Sequence, residues 1–365
     1  MKKYFLFFAT VALLSLAGCT KQNASYGTDR EISFQVANYV PTKANVAFSN
    51  KDFGTFAWHH ATDGAVTPFM ENEQVGQKGT EWKTLNNTFY WPKTGSINFI
   101  SYSPYKETGT PAVTETSVKF AAYTVGEEDL MYADRATEKT QNESTYTAIS
   151  GANGVPTLFH HALAKLSFKV KAAFLEWEGD DNNKSKTSWK ITLKSISLGG
   201  VYNTGDLNLT LASNKTSWET PGWVPDKSKK ADAVELVTAK DGMELTTEAQ
   251  DLFDGKSFYV LPQTLAAGAQ QMKLNLTIVT TLPNKDENGE NRIVNETYEA
   301  TLDLQKISTL KSWGMNQNII YTINVKPTAS DPNDPHTDDP EDVIITFDPA
   351  QADWVLVDAK ATIQI

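Results

Sequence analysis

The chain has a single cysteine, Cys19, among 365 residues. It can form no internal disulfide, and a site built from several thiolates is excluded. Histidine is scarce too: His59, His60, His160, His161 and His336. Neighbouring histidines on an extended strand point to opposite faces, so neither adjacent pair converges on one ion. The sequence therefore nominates no metal site. It also lacks a Gly-x-Ser-x-Gly elbow, a P-loop, a His-Glu-x-x-His pair and a dinucleotide fingerprint. No nucleophile–base set can be named, so we expect no catalytic residues, no cofactor and no enzyme. Basic charge is in deficit, with 33 Lys and Arg against 44 Asp and Glu. Two of the 33 fall in the first 18 residues, leaving 31 against 44, a net of −13 for the remainder. Such a surface is a poor partner for nucleic acid or for anionic lipid. Helical periodicity is nearly missing as well. The best helical candidate, Asp251–Asp254, is about one turn long.

What is present begins at the first residues. Lys2 and Lys3 precede an apolar run from Tyr4 to Leu16, and Leu16-Ala17-Gly18-Cys19 follows. A basic start, a short apolar stretch and small residues before the cut describe a secretory signal peptide. The run is too short for a permanent membrane span. Leu-Ala-Gly-Cys reads as a bacterial lipobox, in which Cys19 is acylated and becomes the first mature residue. Residues 1–18 are then the signal, residues 19–30 a tether, and the lipid an anchor in the outer membrane.

Beyond the tether the pattern is period two. Ile32, Phe34 and Val36 alternate with polar residues. So do Leu166, Phe168 and Val170, then Leu274, Leu276 and Ile278, then Tyr298, Ala300 and Leu302, then Tyr321, Ile323 and Val325. Each run predicts a strand with one buried and one solvated face. Clusters of Asn, Asp, Gly and Pro separate the runs as turn chemistry requires. Many short strands without crossover helices predict an all-β chain of antiparallel β-sandwiches. Residues 150–156 (Ser-Gly-Ala-Asn-Gly-Val-Pro) suggest a boundary, with one sandwich over 31–154 and another over 155–365. Gly179–Ser188 is a rival break that also reads as a long hairpin loop. Pro327–Asp342 is rich in Pro and Asp and reads as a stiff solvated linker. Its acidic run, Asp331 to Asp342, lacks the spacing and glycine of an EF-hand calcium loop. Residues 343–365 beyond it carry strand-like pieces.

Nine tryptophans raise a carbohydrate reading. Trp218 and Trp223 flank Pro221-Gly222 in a loop-like stretch, where exposed indoles would stack on sugar rings. The competing reading has them as packing residues.

A set of local signatures follows in order along the chain. They are Tyr90-Trp91-Pro92, then Ile97–Tyr105, then Asp129-Leu130-Met131-Tyr132-Ala133, then Phe159-His160-His161-Ala162-Leu163-Ala164-Lys165-Leu166. Leu261-Pro262-Gln263, and Trp313 with Asn318–Ile323, complete it. Together, behind a lipobox, they resemble the Bacteroides-type fimbrillin family, the lipoprotein-derived type V pilins. The resemblance implies two transthyretin-like β-sandwich domains in tandem and a role in cell-surface fimbriae and adhesion. Its partners would be other fimbrial subunits of the same family, with host or bacterial surface glycans or proteins as adhesion ligands. It also implies strand exchange: a protease removes the lipidated first strand, and a neighbour's terminal strand fills the groove. Here the first strand is Ile32, Phe34 and Val36. The candidate cuts are at Lys43, where relatives commonly carry arginine, and at Arg30, which would free the lipid but leave the groove filled. The candidate donor is the terminal segment with Val343, Ile345, Phe347, Ile363 and Ile365, held out on the Pro/Asp linker. The alternative function is a monomeric glycan-binding surface lipoprotein.

Overall fold

The computed structural model describes residues 26–38, 48, 50–141, 154–173, 175–178, 186–211, 218–231, 234–252, 258–307, 310–326 and 344–351. Cys19, Lys43, Val343, Ile363 and Ile365 lie outside the described residues. Among those described, strands dominate and the one helix is Leu304–Ile307. The helical turn expected at Asp251–Asp254 is replaced, at its described start, by the short strand Gln250–Asp251. That strand pairs with Ala164–Ala172, so tertiary hydrogen bonding overrides a weak local preference.

The first sheet has eight strands. Met131–Ala133 lies beside Val155–His161, followed by Phe34–Asn38, Glu81–Thr84, Val66–Lys78, Asp52–His60, Ser96–Ser103 and Ala136–Lys139. Met131–Ala133 also pairs with Ser96–Ser103, so seven of the strands form a closed circuit. Closure removes the exposed edges that an open sheet would have. The apolar set of each strand points into the ring. Ile32, Phe34, Phe53, Val75, Ile97, Phe99, Val155 and Phe159 are all buried there.

The second half is a true two-layer sandwich. One layer orders Gln250–Asp251, Ala164–Ala172, Asn318–Lys326 and Ile344–Gln351, with Phe258–Val260 also on Ala164–Ala172. The other orders Glu176–Glu178, Lys186–Gly199, Gln271–Lys285 and Asn291–Asp303, with Val234–Glu244 on Lys186–Gly199. Between them Leu166, Phe168, Val170, Leu274, Leu276, Leu302 and Tyr321 are buried, as their alternation predicts. Most ladders are antiparallel. Two are parallel: Phe34–Asn38 with Val155–His161, and Ala164–Ala172 with Asn318–Lys326.

A four-stranded sheet ties the halves together. Its order is Glu219–Pro225, Thr204–Thr210, Ser117–Thr124 and Ala112–Thr114. Leu207 faces Phe120 on one side and Trp223 on the other in register. Its core joins Ile100, Tyr102 and Phe120 to Leu207, Leu209 and Leu261. The chain also remains in the first sheet past residue 155, since Val155–His161 is one of that sheet's strands, and it crosses at Ala162-Leu163 into Ala164–Ala172. Around the rival break, Glu176–Glu178 pairs antiparallel with Lys186–Ser188, the geometry of a hairpin.

Candidate functional site

Two places stand out: the slot that holds the first strand, and a cleft between the first sheet, the linking sheet and the short ladder of Gln263–Thr264 with Ser312–Trp313.

Tyr26–Glu31 pairs with Tyr90–Pro92 in a small separate ladder. Arg30 lies inside that ladder with its side chain exposed. A cut at Arg30 would thus fall upstream of every residue that plugs the ring. Glu31 is held by Lys83, whose Nζ lies 2.9 Å from both Glu31 and Glu81. The two acidic neighbours raise the Lys83 pKa. The Ile32 N–H then donates to the Phe89 carbonyl at 2.8 Å, and the chain drops into the ring.

Within the ring, Phe34–Asn38 runs parallel to Val155–His161 over five residue pairs. On its other side it meets Glu81–Thr84 at the single pair Phe34–Trp82. Ile32 is 1% exposed and Phe34 3%, while Val36 is partly buried. The Phe34 ring packs edge-on to Phe53 at 5.5 Å and to Phe99 at 5.7 Å between centroids. Side chains hold this strand from within, while main-chain pairing is extensive on one flank only. Gly154 packs against its backbone: a Cβ there would sit 2.8 Å from the Phe34 carbonyl carbon, at a φ of +143°. Phe48, beyond Lys43, stacks on Phe159 at 4.7 Å.

The terminal segment is placed otherwise than expected. The backbone of Ile344–Gln351, which includes Ile345 and Phe347, forms eight pairs with Asn318–Lys326 of the same chain. It is a strand of its own sandwich and is not held away on the linker. The outer edge of Asn318–Lys326 would otherwise present unpaired N–H and C=O groups, which is reason enough for the segment to fold back.

The tryptophans resolve into two roles. Trp218 is buried, and its indole N–H donates to the Ala133 carbonyl at 2.8 Å. It joins the linking sheet to the first sheet and offers no face to a sugar, which corrects the expectation for that residue. Trp223 is partly buried and donates to the Ala162 carbonyl at 2.7 Å. Unlike Trp218, it also lines a cleft of about 730 Å³. Tyr132 and His160 of the first sheet and Trp313 and Asn316 of the second half share that lining. Tyr202 and Gln263 contribute as well, and nothing in the local sequence around them marked them as cleft residues. They lie far apart along the chain and are joined directly: the Tyr202 N–H donates to Gln263 Oε1 at 3.1 Å and Gln263 Nε2 donates to the Tyr202 carbonyl at 3.2 Å.

Charge chemistry near the junction is structural. Asp129 and His161 form a buried pair, Oδ2 to Nδ1 at 2.5 Å, each about 5% exposed. Burial raises the Asp129 pKa, against the opposing pull of His161. His160 reaches Asp134 at 3.1 Å and stacks on Tyr132 at 5.4 Å. Burial pushes the Tyr132 hydroxyl well above its usual range. Among the described residues no group of three or more His, Cys, Asp or Glu side chains is placed to hold a metal ion.

A fimbrillin-like family model matches residues 42–354. The chain belongs to the fimbrillin-like family. Among solved structures, a fimbrial protein from Bacteroides vulgatus is 20% identical, with a TM-score of 0.56. The match covers 89% of this chain and 100% of that one. The tip fimbrial protein Mfa3 of Porphyromonas gingivalis, with a C-terminal truncation, is 11% identical over 89% of this chain and 100% of its own, at a TM-score of 0.35. No protein with a curated description matches. The all-β architecture is that of a fimbrial β-sandwich protein, and the family is one of structural and adhesion proteins of the cell surface, not of enzymes.

Proposed function

We propose that this fimbrillin is a subunit of cell-surface fimbriae that contributes to adhesion and assembles by strand exchange. In this reading Cys19 carries the lipid and residues 1–18 are removed. A protease then cuts beyond the first strand, at Lys43, and frees lipid and strand together. The observation that supports this most is the setting of Phe34–Asn38. It is one stave of a closed ring, paired along its length only to Val155–His161. Removing it leaves a slot lined by Phe53, Phe99 and Phe159, with a parallel-paired edge open on Val155–His161. An incoming strand would regain the main-chain bonds and fill the apolar slot. A cut at Arg30 leaves the stave in place, so Lys43 is the productive position.

Of the candidate donor, residues 343–365, the described part, Ile344–Gln351, begins from a paired state. Its use as a donor requires Ile344–Gln351 to leave Asn318–Lys326 first, in exchange for a similar ladder in the neighbour. The experiment is to treat the purified mature chain with a lysine-specific protease and look for ladders and filaments. Ladders that vanish in Lys43→Ala support the reading. Release of the lipid with no polymer at any concentration would favour the monomeric alternative, a glycan-binding surface lipoprotein.

A further inference from the structure

We infer that the cleft at the junction of the halves is a binding site for a neutral saccharide. Its volume, about 730 Å³, is in the range of small-ligand sites. It is built from the first sheet (Tyr132, His160), the edge of the linking sheet (Trp223, Pro225), Tyr202, and the short antiparallel ladder of Gln263–Thr264 with Ser312–Trp313. The chemistry of the lining selects the ligand. Aromatic rings come from Trp223, from Tyr202, which has the Lys230 Nζ 5.7 Å from its centre, and from the Tyr132–His160 stack. The polar groups between them are amides and hydroxyls, including Thr264 and Asn316. Lys227, exposed, is the one Lys, Arg, Asp or Glu in the lining. A phosphate or polyanion would require several cations. A purely apolar ligand would leave the Asn316 acceptor without a partner, whereas the Gln263 amide is already bonded to the Tyr202 backbone. A sugar ring has a C–H face that rests on the negative face of an aromatic ring, and hydroxyls at its edge for amides.

Asn316 adds a second observation. It has a left-handed backbone, φ +60°, and its N–H donates to the Leu163 carbonyl at 3.1 Å. Its side-chain Oδ1 is sealed from solvent and has no hydrogen-bond partner. An unsatisfied buried acceptor costs about 1–3 kcal/mol. A turn of this amide toward the cleft would let a ligand hydroxyl donate to it. An unpaired buried acceptor beside a cleft is a group that a ligand can satisfy and the protein alone does not.

This inference does not rest on strand exchange, since the cleft is complete within one chain. The test uses the purified, uncleaved mature chain on a printed array of neutral and sialylated oligosaccharides. The strongest neutral binder is then titrated by tryptophan fluorescence. We expect neutral glycans to bind, and Ala266→Trp, at an exposed lining position, to fill the cleft and weaken binding at least about tenfold, or 1.4 kcal/mol. Its thermal midpoint should match the parent's. Trp223→Ala should weaken binding as much, but it also loses the bond to Ala162, so Ala266→Trp is the deciding variant. No neutral binder, binding confined to sialylated glycans, or unchanged affinity in Ala266→Trp at a parental midpoint would each overturn the assignment.

Discussion

Phe34→Ala tests what holds the first strand. Phe34 is 3% exposed and meets Phe53 and Phe99 edge-on inside the ring. Truncating a phenylalanine at such a site costs ~3–5 kcal/mol, a loss of transfer free energy plus the cavity left behind. Each edge-to-face pair accounts for about 0.5–1.5 kcal/mol of this. For a unit of 150–250 residues, about 2–4 °C of midpoint goes with each kcal/mol, so the melting point should fall by roughly 6–20 °C. Ile32→Val is the graded control. It is 1% exposed, and loss of one methyl costs ~0.5–1.5 kcal/mol. The damage should also be local. In Phe34→Ala, amide hydrogen exchange should quicken in Val155–His161, which shares five pairs with the strand. Exchange in the ladder of Gln271–Lys285 with Lys186–Gly199, in the other half, should change far less. A Phe34→Ala shift no larger than that of Ile32→Val would refute the reasoning. So would uniform exchange across both halves. The first result would mean that main-chain pairing, and not the apolar plug, retains the strand; the second would mean that the halves open together.

Four further outcomes are expected of the same structure. Gly154→Ala should destabilise the first strand, since the added Cβ meets the Ser33 and Phe34 backbone at a φ that disfavours side chains; a thermal midpoint equal to the parent's would contradict it. Asp129→Ala should cost ~1–3 kcal/mol in denaturant unfolding, because the buried His161 loses the carboxylate that its Nδ1 meets. The raised Asp129 pKa means the folded state holds the proton more tightly than the unfolded one. Its contribution is present at pH values below the ordinary carboxylate value and is lost as pH rises through the raised value, so Asp129→Asn should flatten the pH dependence of stability in that window. Leu207→Ala, wholly buried between Phe120 and Trp223, should lower the unfolding free energy of both halves by ~2–5 kcal/mol; a loss confined to the second half would show that the linking sheet does not couple them.

Much of this was written locally in the chain. Alternation at Leu166, Phe168 and Val170 determines strand and buried face alike, because side chains on a strand point alternately to its two sides. The same holds for Leu274 and Leu276, and for Tyr321 and Ile323. The absence of any catalytic signature, the acidic balance and the ordered fimbrillin markers also belong to the sequence. Tertiary structure decided the rest. Pairing partners depend on long-range closure, so no local pattern revealed that Phe34–Asn38 runs parallel to Val155–His161, or that Met131–Ala133 closes the ring. Trp218 and Trp223 sit five residues apart in the same stretch, yet one is sealed against Ala133 and the other lines a cleft, because burial is set by what packs over a residue. Ile344–Gln351 could be read as a strand from its composition, but only the open edge of Asn318–Lys326 determined where that strand would lie. The cleft itself joins residues from 132 to 316, a distance over which sequence order carries no geometry until the linking sheet has formed.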